Sequence, residues 1–250
     1  MESTDNVNAP SGNPEDFLES TIEFPDGSQF ERLHAITDFR KDPGEARILY
    51  LCKRVDSNGT DEDRENEYVM KIKAQWPGPQ NLLHAGPSPF TAAELKVLRL
   101  FGDQKLDGVP HLVTWKQGVQ SKDGVHPGGY LIYIVMTLVP GRTLWDLGYW
   151  SLTDEERLEI QQAFISKLNE VRQLGIAPYD CALRNVLWDA AQKRASIVDF
   201  EHYRETAAPI DDETLELQRW GLKSRPVPGT WYVEWGLKAK EAAEIGIVSS

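Results

Sequence analysis

Asp180, Asn185 and Asp199 are the residues of this chain whose types and spacing could do chemistry together, and all three lie between Gly175 and Glu201 (GIAPYDCALRNVLWDAAQKRASIVDFE). Asn185 to Trp188 and Ser196 to Asp199 flank a polar connection, which predicts an antiparallel hairpin. Pairing Trp188 with Ser196 sets Asn185 opposite Asp199, and directly opposed residues have Cβ atoms about 4.5–5.5 Å apart. Two hard oxygen donors then converge at the open end of the hairpin. That suits Mg²⁺, which takes one or two protein oxygens and fills its other positions with phosphate and water. Asp180, in the loop before the hairpin, could face the same spot as a base or as a group that orients a hydroxyl. Taken by themselves, the three residues read more simply as two polar residues ending a hairpin and a loop aspartate.

The elements that must position these residues follow from periodicity and punctuation. A long helix starts at Thr153, with Glu156 at the capping-box spacing, and carries Leu158, Phe164, Ile165, Leu168, Val171 and Leu174 at helical period until Gly175. Upstream, Phe30 to Phe39 and Ala46 to Val55 read as two strands around the turn signal Pro43-Gly44. Tyr68 to Lys73 is a third strand, and Thr91 to Gly102 a short helix with Leu95, Leu98 and Phe101 on one side. His111 to Trp115 and Tyr130 to Val139 complete five strands, and a helical stretch runs from Asp212 to Trp220. Residues 1–16 offer almost nothing to bury and read as a disordered tail. Residues 56–67 hold six carboxylates and one arginine and read as a solvated loop. The tryptophans at 220, 231 and 235 are expected to close the core of the C-terminal half.

Charge and composition remove several classes of function. The balance 27 − 39 = −12 argues against a partner made of nucleic acid phosphate or anionic membrane. The two cysteines form no metal or redox spacing and exclude a disulfide framework. With no apolar stretch after a basic start, no secretory signal is visible, and the chain reads as cytoplasmic. Cys181 beside Asp180 has no base placed for it by the sequence.

Several segments in order resemble the protein-kinase-like superfamily, in particular its small-molecule branch of aminoglycoside and choline kinases. Asp180-Cys-Ala-Leu-Arg-Asn185 matches that family's D-x-x-x-x-N catalytic loop, and Asp199-Phe200-Glu201 matches its D-F-G in the D-[FW]-E form. Tyr68-Val69-Met70-Lys71 resembles the strand with the phosphate-binding lysine, and Glu94 falls where the lysine's helix partner lies in the family. Met136-Thr-Leu138-Val139-Pro-Gly141 resembles the hinge whose backbone binds adenine. The resemblance implies an α+β, two-lobed kinase-like fold: a five-stranded N-lobe over 17–139 and a short, mostly helical C-lobe over 140–250. It also implies the cofactors ATP and Mg²⁺. Lys71, held by Glu94, would contact the phosphates, Asn185 and Asp199 would hold the metal, and Asp180 would serve the acceptor.

Two assignments need arbitration. Lys71 and Lys73 point to the same strand face; the small apolar Val69 two residues before Lys71 matches the adenine wall, so Lys71 is chosen and Lys73 is left as a surface charge. Thr91 to Glu94 is also a capping-box spacing, so Glu94 could instead serve its own helix.

Departures from the family pattern set the alternatives. Pro178-Tyr179 replaces the His or His-Arg before the aspartate, Ala182 stands where a lysine is usual, and the first hairpin has Gly44 but no G-x-G-x-x-G. Arg184 could supply the missing positive charge, or be a structural arginine pairing a carboxylate. No A-P-E segment follows Asp199, which implies a compact or atypical member. The expected function is therefore ATP/Mg-dependent phosphoryl transfer to a hydroxyl-type acceptor on a protein or small molecule. The alternatives are a catalytically impaired scaffold or nucleotide-binding module, and a changed group transfer. The acidic surface would suit a cationic acceptor.

Overall fold

A computed structural model describes residues 18–42, 44–56, 66–78, 82–84, 86–206 and 208–223. The tail 1–16, most of the acidic run, Trp231 and Trp235 lie outside the described residues. The chain divides into two compact units. One comprises the chain up to Ser88 together with Leu112–Leu138, the other Pro89–His111 and the chain from Val139 on.

The first unit is a curled antiparallel sheet. Its strands are β1 (Thr21–Glu23), β2 (Gln29–Ala35), β3 (Arg40–Asp42), β4 (Glu45–Arg54), β5 (Glu67–Gln75), β6 (Leu112–Val119) and β7 (Tyr130–Thr137). Their order is β1-β2-β4-β5-β7-β6, with β3 added to β4, so the described residues of this unit form seven strands rather than five. The five expected strands are β2, β4, β5, β6 and β7; β1 and β3 are three-residue pieces that carry no readable period. Strand β4 alternates buried and half-buried residues, as one covered face demands. The covered face gathers Phe30, Ile48, Tyr50, Met70, Ile72 and Tyr133 in one apolar cluster.

Central strand β5 is buried along both faces from Tyr68 to Gln75. Lys73 is consequently fully buried and not a surface charge. Its Nζ lies 3.6 Å from the Glu45 carboxylate, which also accepts a hydrogen bond of 2.8 Å from the Tyr130 hydroxyl. A buried ammonium needs such a partner, because desolvation penalises an isolated charge by several kcal/mol.

The second unit contains α1 (Pro89–Gln104), β8 (Arg142–Thr143), α2 (Asp154–Gln173), β9 (Ile176–Pro178), β10 (Val186–Asp189), β11 (Arg194–Ile197), β12 (Tyr203–Glu205) and α3 (Glu213–Arg219). Among the described residues five short strands accompany its three helices, which still hold most of the ordered backbone. Helix α2 begins as its sequence dictates: the Glu156 N–H donates to the Thr153 hydroxyl, and the Glu156 carboxylate accepts from the Thr153 N–H at 2.9 Å. Ile160, Phe164, Leu168 and Val171 face the core, whereas Leu158 is exposed. Around them Phe101 meets Phe200 edge-on at 4.7 Å, and Phe164 meets Trp220 at 5.1 Å.

The hairpin β10–β11 forms, but one residue out of the expected register. Trp188 pairs with Ala195 and Val186 with Ile197. This register places four buried apolar residues on one face, whereas pairing Trp188 with Ser196 would set apolar against polar, and a one-residue slip exchanges the faces. The turn agrees: Asp189 Oδ1 accepts from the N–H groups of Ala191 and Gln192, and Lys193 takes a left-handed conformation at φ 51°. Asn185 therefore stands opposite Val198, whose N–H it accepts at 2.9 Å, and not opposite Asp199.

Candidate active site

The strands β9 and β12 pair antiparallel, Pro178 against Tyr203 and Ile176 against Glu205, and so fix both ends of the segments that carry the site. Past β9 the chain turns through a single 3-10 turn, Leu183–Asn185, pinned by the buried Leu183. Asp180 sits at the entrance of this loop, about one third exposed. One guanidinium nitrogen of Arg184 donates to both of its carboxylate oxygens, at 2.9 and 3.0 Å. The buried Asn185 amide donates to the Asp180 carbonyl at 2.9 Å and to its Oδ2 at 3.2 Å. The D-x-x-x-x-N loop is thus folded on itself, with its first residue held by its fifth and sixth. Arg184 is a partner of Asp180 in this arrangement.

Asp199 follows β11 with φ 66°, a left-handed conformation uncommon outside glycine and tolerated best by short polar residues. Such conformations cost on the order of 1–2 kcal/mol and cluster at functional sites. Here the bend breaks strand alternation, so Phe200 and Glu201 are both buried. Phe200 enters the core and Glu201 turns toward Asp199.

Helix α1 supplies the third acid. It starts at Pro89, a residue favoured in a first turn, so Thr91 lies inside the helix and cannot be its cap. The capping-box account of Glu94 is overturned by that start. Glu94 occupies the buried stripe with Val97, Leu98 and Phe101, a position where an apolar residue is normal. One carboxylate oxygen each from Glu94, Asp199 and Glu201 lie within 4.8 Å of one another, with Glu94 and Glu201 buried. Three hard oxygen donors at this spacing fit a small divalent cation such as Mg²⁺. Glu201 had no assigned role from sequence, although the third letter of D-F-E was the signal available for it.

The remaining expected residues are placed as follows. Lys71, in the first unit, is buried on β5 opposite Leu49 and Ile134. Val69 stands directly opposite Met136. Met136 and Val139 are buried, and Leu138 is 41% exposed. Cys181 is buried, and burial pushes its thiol up to about 12, so it stays protonated at neutral pH and is no nucleophile.

No family model matches the chain, and no curated protein matches it. Among solved structures it is similar to PK-1, the kinase of Cydia pomonella granulovirus, at 20% identity and a TM-score of 0.46. The match covers 72% of this chain and 56% of the viral one, so it takes in little more than half of that kinase.

Proposed function

We propose that this chain is a kinase-like phosphotransferase that moves the γ-phosphoryl group of ATP to a hydroxyl with the help of Mg²⁺. The observation that carries the reading is the meeting of Glu94, Asp199 and Glu201 within 4.8 Å, beside a D-x-x-x-x-N loop already closed on Asp180. Asp199, with Glu94 and Glu201, would hold the divalent cation, which neutralises phosphate charge when bound. Asp180 would orient the acceptor hydroxyl and take its proton as the new O–Pγ bond forms and the bond from Pγ to the bridging oxygen breaks, releasing ADP. Arg184 would hold Asp180 in place, and Asn185 would hold the loop. Lys71 is the phosphate-contacting residue of this reading, with Met136, Leu138 and Val139 beside the adenine. Most of the acceleration would come from positioning and fixed charge.

Thermal unfolding with ATP, with and without Mg²⁺, tests this on the wild type and Asp199→Ala. Ligand at a hundred times Kd stabilises by about 2.7 kcal/mol, a rise of roughly 5–10 °C for a chain of this size. The expected result is a Mg²⁺-dependent rise that Asp199→Ala abolishes. No shift at millimolar ATP overturns the reading.

One observation favours a second reading, a nucleotide-binding module without transfer. Both oxygens of Asp180 already accept from Arg184, so an acceptor would meet a carboxylate whose charge is compensated within the chain. Nucleotide binding with no ADP release in the presence of any hydroxyl acceptor would decide for it.

A further inference from the structure

Three aromatic rings lie together on the surface of the second unit. Phe90 is 49% exposed and Tyr179 52% exposed, and His202 lies between them. The ring centroids of Phe90 and His202 are 4.6 Å apart at 62°, and those of Tyr179 and His202 are 5.5 Å apart at 44°. The Tyr179 N–H donates to the His202 carbonyl at 3.0 Å, so the two segments are locked side by side. Exposed aromatic residues scattered singly need no explanation, whereas a contiguous group of them is a candidate binding surface.

The position of this shelf is specific. Tyr179 runs directly into Asp180, His202 directly follows Glu201, and Phe90 precedes Glu94 on the same side of α1. Every ring is thus one residue or one helical turn along the chain from a carboxylate of the candidate site, and the three come from three separate segments.

The charges around it argue what it would take. Asp180 is matched by Arg184, and Glu205 is matched by Lys96 at 2.6 Å. Arg204 is exposed on the same strand, β12. Asp180 and Glu205 are thus compensated within the chain, and Glu94, Asp199 and Glu201 would be compensated by the cation of the candidate site, so with that cation in place the field at the shelf would give a cationic acceptor little advantage, despite the net charge of −12 on the whole chain. Flat exposed rings favour another flat ring, in offset or edge-to-face contact.

We propose that Phe90, Tyr179 and His202 form the acceptor subsite, and that the acceptor is a neutral molecule or side chain presenting a planar ring near its reacting hydroxyl. This rests on the phosphotransferase reading and names its substrate class. It replaces the cationic acceptor expected from overall charge.

Saturation-transfer NMR with benzyl alcohol and cyclohexylmethanol tests it, because the two probes share a skeleton and a hydroxyl and differ only in the aromatic ring. The wild type is expected to bind benzyl alcohol in preference. Phe90→Leu and Tyr179→Leu should each weaken that binding by about threefold to tenfold, the range of one aromatic contact. With ATP and Mg²⁺, benzyl alcohol should stimulate ADP release, and Tyr179→Leu should raise KM for the alcohol while kcat holds. Equal binding of the two alcohols, binding unchanged in both variants, or no binding to the wild type would overturn the proposal. The nucleotide-dependent thermal shift separates the two failures. It should persist in both leucine variants if only the shelf is misread, and vanish from the wild type if the phosphotransferase reading itself is wrong.

Discussion

The two lysines of β5 give the sharpest test of how the site is assigned. Lys71 and Lys73 share a face of the same strand and are both buried, so burial alone does not choose between them. Their surroundings do. Lys73 lies 3.6 Å from Glu45, and Glu45 also receives the Tyr130 hydroxyl at 2.8 Å, which makes Lys73 part of a structural cluster. Replacing Lys73 by Met keeps most of its apolar stem and removes the charge. Breaking a buried ion pair costs about 3–5 kcal/mol when the surviving charge stays dry. Glu45 retains 20% side-chain exposure and a phenol donor, which lowers the expected loss to about 2 kcal/mol, or a fall in Tm of roughly 4–8 °C. Affinity for ATP should be unchanged. Lys71→Met should do the reverse to the ligand, because a charge-assisted contact to phosphate contributes about 1.5–3 kcal/mol, or roughly tenfold to a hundredfold in Kd. Calorimetric titration with ATP and Mg²⁺, alongside thermal unfolding of the same samples, reads both quantities. ATP binding lost from Lys73→Met and kept by Lys71→Met would refute the assignment and the strand comparison behind it.

Three further predictions follow from particular contacts. Asp180→Asn should lower kcat for transfer by about 10²–10⁴-fold and leave Kd for ATP within twofold to threefold; steady-state kinetics checks this, and unchanged kcat would remove Asp180 from the reaction. Burial pushes the Tyr149 hydroxyl up to about 12, above its unfolded value near 10, so the unfolded chain loses that proton first. Its stabilising effect is complete below pH 10 and declines as pH rises toward 12, by at most about 1.4 kcal/mol per pH unit. Urea midpoints measured from pH 9 to 11 should therefore fall less steeply for Tyr149→Phe than for the wild type. Gly141 has φ 113°, and a Cβ there would stand 2.8 Å from the Trp188 carbonyl, so Gly141→Ala should cost about 2 kcal/mol or more, seen as a lower Tm.

The order of motifs and the choice of elements were legible because they rest on local chemistry. Thr153 and Glu156 cap α2 through their own side chains, and Gly175 ends the helical segment with φ 81°, a conformation for which glycine is suited. What escaped the sequence depended on neighbours distant along the chain. Lys73 reads as a surface residue until the fold buries both faces of β5. The β10–β11 register was set by the Asp189 turn and by Val186, Trp188, Ala195 and Ile197 sharing a face, and a count from the polar ends could not weigh those against each other. Asn185 donates its amide to Asp180, and the acids that meet Asp199 come from the next turn of chain and from a helix far earlier in sequence. The left-handed bend at Asp199 is what brings Glu201 inward, and no spacing rule reports a backbone angle. Asp199 and Asp180 thus belong to two different groupings in this fold, one gathering carboxylates for a cation and one holding a single carboxylate against an arginine. Separate substitution of Asp199 and Asp180 should accordingly separate nucleotide binding from transfer.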